Sequence, residues 1–341
     1  MIQQALQLVL DGRDLSREET REVMDEIMSG VATPAQIGGF LVALRAKGET
    51  ADEIAGCAEA MRAHVLSVHP RRDDLVDTAG TGGDGARTIN ISTAAALVAA
   101  AAGAAVAKHG NRAVSSACGS ADVLEALGFS LEQEPGRIAR SIDELGFGFL
   151  FAPSHHPAMR HAAPVRKELA TRTVFNVLGP LTNPAGARAQ VVGVYSQELV
   201  GTIADVLATL GARRAYVVHG AGGIDELSPV GPNLVAEVVD GSVRERMLDP
   251  EAELGLPRCD VDELRGGTPA ENAAAVRAVF AGADGGRRSA VLLNAAGAIA
   301  AAGHADDLRE GLAIARETVD SGAAADRLEQ LVSFSRETVV T

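Results

Sequence analysis

"DTAGTGGDGARTINIST", residues 77–93, places glycines at 80, 82, 83 and 85 and an acid, Asp84, between a short apolar run and a helix start. Glycine lets backbone N–H groups turn toward an anion and lets the anion approach without a Cβ clash. The helix that begins near "NIST" adds unpaired N–H groups and the positive end of a dipole. Asn90, Ser92 and Thr93 are good capping residues, and their oxygens suit phosphate or metal equally well. Gly80, Gly82 and Gly85 formally satisfy the spacing of a dinucleotide loop, but that fold needs an acid roughly 20 residues on. Here that place holds "AKHGNR", which is basic. No Lys-Ser/Thr pair follows Gly85, so a Walker loop fails as well. What remains is an anion cradle at a strand-to-helix turn; turn geometry alone leaves so many glycines unexplained.

Outward from this loop, short β-branched runs alternate with alanine-rich helical stretches: "LVDTAG", "STAAALVAAAAG", "AAVAKHG", "SADVLEALG", then "AQVVGVYS", "LVGTIADVLATLG", "RAYVVHG" and "NLVAEVVDG". That rhythm predicts an α/β domain with a mainly parallel sheet flanked by helices. The C-terminal part reads as helices with one buried, strand-like "SAVLLNAA". The N-terminal part reads as helical. Ser16/Glu19, Thr33/Gln36 and Thr50/Glu53 form three successive capping boxes, with Gly30 and Gly48 as helix stops and Gly56 inside a helix. The expected division is a small helical domain over residues 1–68 and a large domain over 69–341.

Three further segments carry chemistry. "KHGNRAVSSACGS", from Lys108 to Ser120, holds Lys108, His109 and Arg112 with no acid before Asp122. It follows a strand signal, and strand C-termini are where ligands bind in open α/β sheets. Its cations, hydroxyls and glycine N–H groups suit a phosphate ester. "HHPAMRHAAPVRKELATRTVFNVLGPLTNPAG" is basic and proline-rich, and Arg166 could hold a carboxylate in a bidentate fork. Its His155, His156 and His161 lack the carboxylate or cysteine that would complete a metal site. "VVHGAGGIDELSPVG" sets Asp225 beside Glu226; adjacent carboxylates near phosphates suit Mg²⁺, although helix-start acids read the same way.

The formal net charge of −14 and the scarcity of aromatics, 3%, speak against nucleic acid or an acidic membrane as partner. No stretch is long and apolar enough to span a bilayer, and the N-terminus lacks a secretory signal's basic start, so a cytoplasmic protein is expected. Cys57, Cys118 and Cys259 show no paired spacing and read as free thiols.

The signatures "GTGGDG…TINIST", "KHGNRAVSS…GSADVLEALG", "HPAMRHAAPVRKELATRTVFNVLGPLTNPA" and "GGIDELSPVGP", in this order, resemble the anthranilate phosphoribosyltransferase family across essentially the whole chain. "KHGNR" is shared with pyrimidine nucleoside phosphorylases of related fold; the "RTVFNVLGPLTNPA" stretch and the acid pair narrow the resemblance to the transferases. The resemblance implies the nucleoside phosphorylase/phosphoribosyltransferase type of fold. Part of residues 164–183 would return to the helical domain as a hinge. It also implies a homodimer through the helical domains.

The implied reaction joins anthranilate to 5-phosphoribosyl 1-pyrophosphate (PRPP), giving N-(5-phosphoribosyl)anthranilate and pyrophosphate with two Mg²⁺ ions, the second step of tryptophan biosynthesis. Carried over by position, PRPP would meet Gly80, Thr81, Gly82, Gly83, Asp84, Thr88, Asn90, Ile91, Ser92 and Thr93. It would also meet Lys108, His109, Gly110, Asn111, Arg112, Ala113, Val114, Ser115, Ser116 and Ser120. Anthranilate would meet Gly80, Asn111, His156, Arg166 and Gly179, and Mg²⁺ would meet Ser92, Asp225 and Glu226. Lys108, His109 and Arg166 are the expected catalytic residues, with His109 one candidate proton acceptor beside the substrate carboxylate, pyrophosphate and water. The turn "HGAGGIDE" is slightly longer than usual for the family. The rivals are a nucleoside phosphorylase, which needs no acid pair, and a nucleic-acid-binding relative, which needs a basic groove.

Overall fold

The computed structural model describes residues 1–113 and 117–337. Val114, Ser115 and Ser116, expected to contact PRPP, lie outside the described residues. Helices α1 (Ile2–Leu10), α2 (Arg17–Met28), α3 (Pro34–Lys47) and α4 (Ala51–Ala63) open the chain. All three capping boxes form, at Ser16/Glu19, Thr33/Gln36 and Thr50/Glu53. Glu53 does more than cap: fully buried, it also accepts from the Leu15 N–H at 2.9 Å and from Lys47 Nζ at 2.9 Å. Gly48 ends α3 and Gly56 lies inside α4, as the punctuation predicts.

The large domain is built on β1 (Leu75–Gly80), β2 (Ala105–Gly110), β3 (Phe147–Phe151), β4 (Ala189–Gly193), β5 (Arg214–His219), β6 (Asn233–Val239) and β7 (Ser242–Leu248), with helix α5 (Ile91–Ala101) between β1 and β2. The sheet order is β3-β2-β1-β4-β5-β6-β7. The first five strands in that order are parallel, and β6 and β7 close it as an antiparallel edge. The strand sequence runs outward in opposite directions from β1 and β4. The glycine-rich loop leaves the C-terminal end of β1, at this reversal, where open α/β sheets hold their ligands.

Apolar clusters cover both faces of the sheet. One joins the N-terminal helices to the sheet, through Phe40, Leu41 and Ile54 on one side and Val192 and Val217 on the other, with Ile203 of the helix Leu199–Thr209 in the same cluster. The other packs α5 and the helices Gly286–Ala302 and Leu308–Asp320. Truncating Phe40, fully buried there, would cost about 3–5 kcal/mol. One expectation fails: "SAVLLNAA" lies in the helix Gly286–Ala302, not in a strand. That helix is buried nearly all round, so its apolar run lacks the polar face that marks a helix. Cys57, Cys118 and Cys259 form no disulfide with one another, as expected.

Candidate active site

Alternation along β1 and β2 sorts the polar residues of these two buried strands to opposite sides. Asp77 and His109 share one side; Thr78 and Lys108 share the other. On the second side, Lys108 Nζ donates to the Thr78 carbonyl at 2.5 Å and lies 3.5 Å from Ser92 Oγ. Thr78 Oγ1 donates to the Ser92 carbonyl at 2.9 Å, which fastens the first turn of α5 to β1. The Ser92 N–H donates to Glu226 Oε1 at 3.0 Å, so a carboxylate occupies the positive end of that helix. Asn90 is the N-cap by position, yet its side chain does not cap. Its amide donates to the Cys118 carbonyl and its oxygen accepts from Asn272 Nδ2 at 2.9 Å. Thr93 Oγ1 is buried without a hydrogen-bond partner among the described residues.

Asp225 sits against the glycine loop. The Gly82 N–H donates to its Oδ2 at 2.7 Å, and its own N–H donates to Asp84 Oδ2 at 3.3 Å. This approach explains two glycines. A Cβ on Gly80 would lie 2.3 Å from Asp225 Oδ2, and one on Gly193 would lie 1.6 Å from the Asp225 carbonyl oxygen. Gly82, Gly83 and Gly85 all take positive φ, between 67° and 79°, which side chains resist. The turn before the acid pair closes on itself through Gly220 N–H to the Ile224 carbonyl at 2.8 Å. Its length does not carry the acids away from the loop.

Burial pushes the pKa of Asp225 and of Glu226 upward, and the charges of Asp84 and Asp225 respectively add to the effect. Lys108 opposes it at Glu226. Burial likewise lowers the pKa of Lys108, and the charges of Asp77 and Glu226 oppose that shift. Negative charge is therefore concentrated where water does not stabilise it, which is the setting a cation relieves. Among the described residues no group of three or more His, Cys, Asp or Glu is arranged to hold an ion alone. Two carboxylates and a serine hydroxyl fit Mg²⁺, which takes few protein ligands and completes its shell with water and substrate phosphate.

On the other side of the strands, Asp77 is fully buried. It accepts from the His109 N–H at 3.1 Å and from Asn183 Nδ2 at 2.7 Å, and burial pushes its pKa up to about 6. His109 Nδ1 lies 3.0 Å from the Gly179 carbonyl oxygen, an acceptor, so that nitrogen carries the proton. His109 Nε2 lies 3.2 Å from His156 Nε2. Burial, then the neighbouring His156, lowers the His109 pKa to about 3; burial lowers that of His156 to about 4. A neutral imidazole whose free lone pair faces His156 is a weak base at neutral pH. The arrangement argues against His109 as the proton acceptor.

Of the predicted acceptor residues, His156 and Gly179 belong to this network through His109, whereas Arg166 and Asn111 stand apart from it. Arg166, on the helix Ala163–Leu169, lies 5.0 Å from the Phe175 ring centre and has no ion-pair partner among the described residues. Asn111 is held by Ser120, whose Oγ accepts from its N–H at 3.1 Å. A Cβ on Gly110 would lie 2.2 Å from Ser120 Oγ, whereas one on Gly179 would meet open space. Two cations expected at the donor have protein partners in the structure. Lys108 is 1% exposed and lies beneath the loop, bonded to Thr78. Arg112 turns away to Asp122 and Glu125, at 3.1 Å from the first, and the Ala113 N–H also donates to Asp122 at 3.0 Å. The acids that follow the basic island in sequence thus neutralise part of it. Thr81 accepts from the Tyr195 N–H at 3.1 Å, and Thr88 forms a bridge with Arg265. Ile91 is buried in the first turn of α5. The three histidines of the central segment diverge: His155 bonds to the Leu66 carbonyl, His156 to His109, and His161 packs on Gly30.

Sequence reading missed Asp77, Asn183, Asn272, Arg172 and Tyr195. An acid in the apolar run "LVDTAG" was the available signal for the first; Asn183, Arg172 and Tyr195 come from distant loops and Asn272 from the helix Pro269–Phe280, and these have none.

Comparison with known proteins decides the family. Residues 3–65 match the helical bundle domain, and residues 72–325 the a/b domain, of the glycosyl transferase family. Anthranilate phosphoribosyltransferase of Moorella thermoacetica is 52% identical over 334 residues, 98% of each chain. That of Anaeromyxobacter sp. is 56% identical over 333 residues, again 98% of each. The chain belongs to the anthranilate phosphoribosyltransferase family. It transfers the phosphoribosyl group of PRPP to the amine of anthranilate, in tryptophan biosynthesis. The crystal structure of the Thermus thermophilus enzyme superposes with a TM-score of 0.93 at 51% identity, covering 98% of this chain and 99% of that one. The Saccharomyces cerevisiae enzyme in complex with PRPP and Mg superposes with a TM-score of 0.88 at 29% identity, over 98% and 97% of the two chains. Among the described residues no helix is long and apolar enough to cross a membrane.

Proposed function

We propose that the reaction depends on Mg²⁺, two ions held through Ser92, Asp225 and Glu226, with PRPP lying along the glycine loop and the start of α5. The observation that carries this reading is the acid pair seated against Gly82 and Ser92, half-buried, with desolvation raising the pKa of both acids. A bound Mg²⁺ supplies electrophilic stabilisation of the departing pyrophosphate. The chain's own part is positional and electrostatic. Gly80–Asp84, Thr88 and Asn90–Thr93 bind the donor, with Gly110–Ser116 and Ser120 beyond them. Lys108 acts from below, holding Thr78 and Ser92 and countering the charge of Glu226. Arg166 takes the anthranilate carboxylate, with Gly80, Asn111, His156 and Gly179 lining its place. The aromatic amine is neutral at pH 7, so its lone pair attacks the ribose carbon without prior deprotonation. Buried His109 serves to orient rather than to accept the proton, which leaves to carboxylate, pyrophosphate or water. Positioning of two reactants in one cleft then supplies most of the rate.

The same reading divides the chain at residues 68 and 69, with part of 164–183 acting as a hinge on which the cleft closes. Packing of the helix Ala163–Leu169 near α3, through Val165 and Gly38, supports the hinge. We further propose a cytoplasmic homodimer joined through the helical domains, where Leu10, Val31 and Val42 are exposed. The test of function is loss of anthranilate fluorescence on mixing enzyme, anthranilate, PRPP and Mg²⁺. Loss that needs all components and stops with EDTA is expected. No loss by folded enzyme would contradict the reading and favour a phosphorylase, tested next with nucleosides and phosphate.

A further inference from the structure

We propose that Arg172 is a positioning residue for the donor loop, fastening it to the segment that carries Arg166. This rests on the reading of the loop as the PRPP site. Arg172 follows the helix Ala163–Leu169 after a turn at Ala170, whose φ is +46°. Its Nη2 donates to the Gly83 carbonyl, and its guanidinium carbon lies 3.9 Å from the centre of the Tyr195 ring. That distance is a close cation–π stack. Tyr195 is itself tied to the loop: its N–H donates to Thr81 Oγ1 at 3.1 Å, and the Thr81 N–H donates to the Gly193 carbonyl at 2.9 Å. The next residue, Thr173, anchors the segment through its N–H to Asn176 Oδ1 at 2.9 Å.

Arg172 has no carboxylate partner among the described residues, so its charge is directed at a main-chain carbonyl instead. In a planar trans peptide the carbonyl and the following N–H point in opposite directions. Holding the Gly83 carbonyl toward Arg172 therefore fixes the Asp84 N–H on the opposite side. Gly83 has a φ of +79° and could otherwise turn over readily, so an external hold on its carbonyl has a job to do. A Cβ on Gly83 would sit 3.1 Å from Arg172 Nη2, and the guanidinium takes up that space.

The experiment is steady-state kinetics of Arg172→Ala, Arg172→Lys and Tyr195→Leu with thermal melting of each. Arg172→Ala should raise the KM for PRPP about tenfold, with kcat within about threefold and the anthranilate KM unchanged. Arg172→Lys should recover part of the loss, because an ammonium can donate to the carbonyl but does not stack flat. Tyr195→Leu keeps the charge and should raise the same constant about threefold; it carries the test alone if Arg172→Ala fails to fold. An unchanged PRPP KM, or a lowered melting point with no kinetic change, would overturn the proposal. A loss borne equally by kcat would mark direct contact with the leaving group and overturn a positioning role. If the wild-type enzyme consumes no anthranilate, the functional reading fails. Pyrophosphate binding by wild type and Arg172→Ala, measured by calorimetry, then decides the positioning role separately.

Discussion

The donor and acceptor ends of the site are built in different ways. At the donor end nearly every polar group has a partner: Gly82 and Ser92 N–H groups meet carboxylates, Lys108 meets Thr78, and Asp77 meets His109 and Asn183. At the acceptor end Arg166 has a ring beside it and no anion among the described residues, and the Cα of Gly179 faces open space while its carbonyl meets His109. A highly charged leaving group needs donors and counter-charge fixed before it arrives, because reorganising them during the reaction would add to the barrier. A small carboxylate needs one well-placed guanidinium, and Arg166 is half-buried, with burial lowering its pKa. The difference teaches that the deepest burial of charged groups, at Asp77 and Lys108, belongs to the end where bond breaking generates charge.

The largest effect should come from cutting that charge. The double variant Asp225→Asn, Glu226→Gln should lose about 10³-fold or more in kcat/KM at fixed Mg²⁺, because it removes the proposed metal carboxylates; retention of near-normal turnover would collapse the distinction between the two ends. Next is Arg166→Ala, which should raise the anthranilate KM on the order of tenfold to a hundredfold with a smaller change in kcat. A weakened PRPP KM with an unchanged anthranilate KM would reverse the assignment of the ends. Then comes pH. The raised pKa of each acid means that the free enzyme holds protons that a metal must displace, so the Mg²⁺ concentration for half-maximal rate should climb as pH falls toward 6. A flat Mg²⁺ requirement from pH 8 to 6 would show that the pair is already ionised. The smallest effect is expected at His109. His109→Ala should keep kcat within about tenfold, below the usual worth of a general base, since burial holds the ring neutral to about pH 3.

Much of this was legible in the sequence, and the limits have physical reasons. Capping boxes are local, so the three of the helical domain could be read from spacing, and all three form. The strand–glycine–helix turn is local too, and the acid pair was visible as a dipeptide. The hydrogen bonds that complete the donor end were not legible. Asn183 reaches Asp77 and Glu226 reaches Ser92 across more than a hundred residues, and no periodicity records such pairs. The pairing of Arg112 with Asp122 and Glu125, 10 and 13 residues on, was not legible in local charge counting. "SAVLLNAA" was misread because a helix buried on every side has no amphipathic pattern.

The most direct test of the donor end is calorimetric binding of Mg²⁺-pyrophosphate to the anthranilate-free enzyme, in two buffers of different ionisation enthalpy, with the acid-pair double variant as control. The account predicts binding by the wild-type enzyme with release of protons near neutral pH, and little or no binding by the variant. Equal affinity in both proteins, with no proton released, would contradict it.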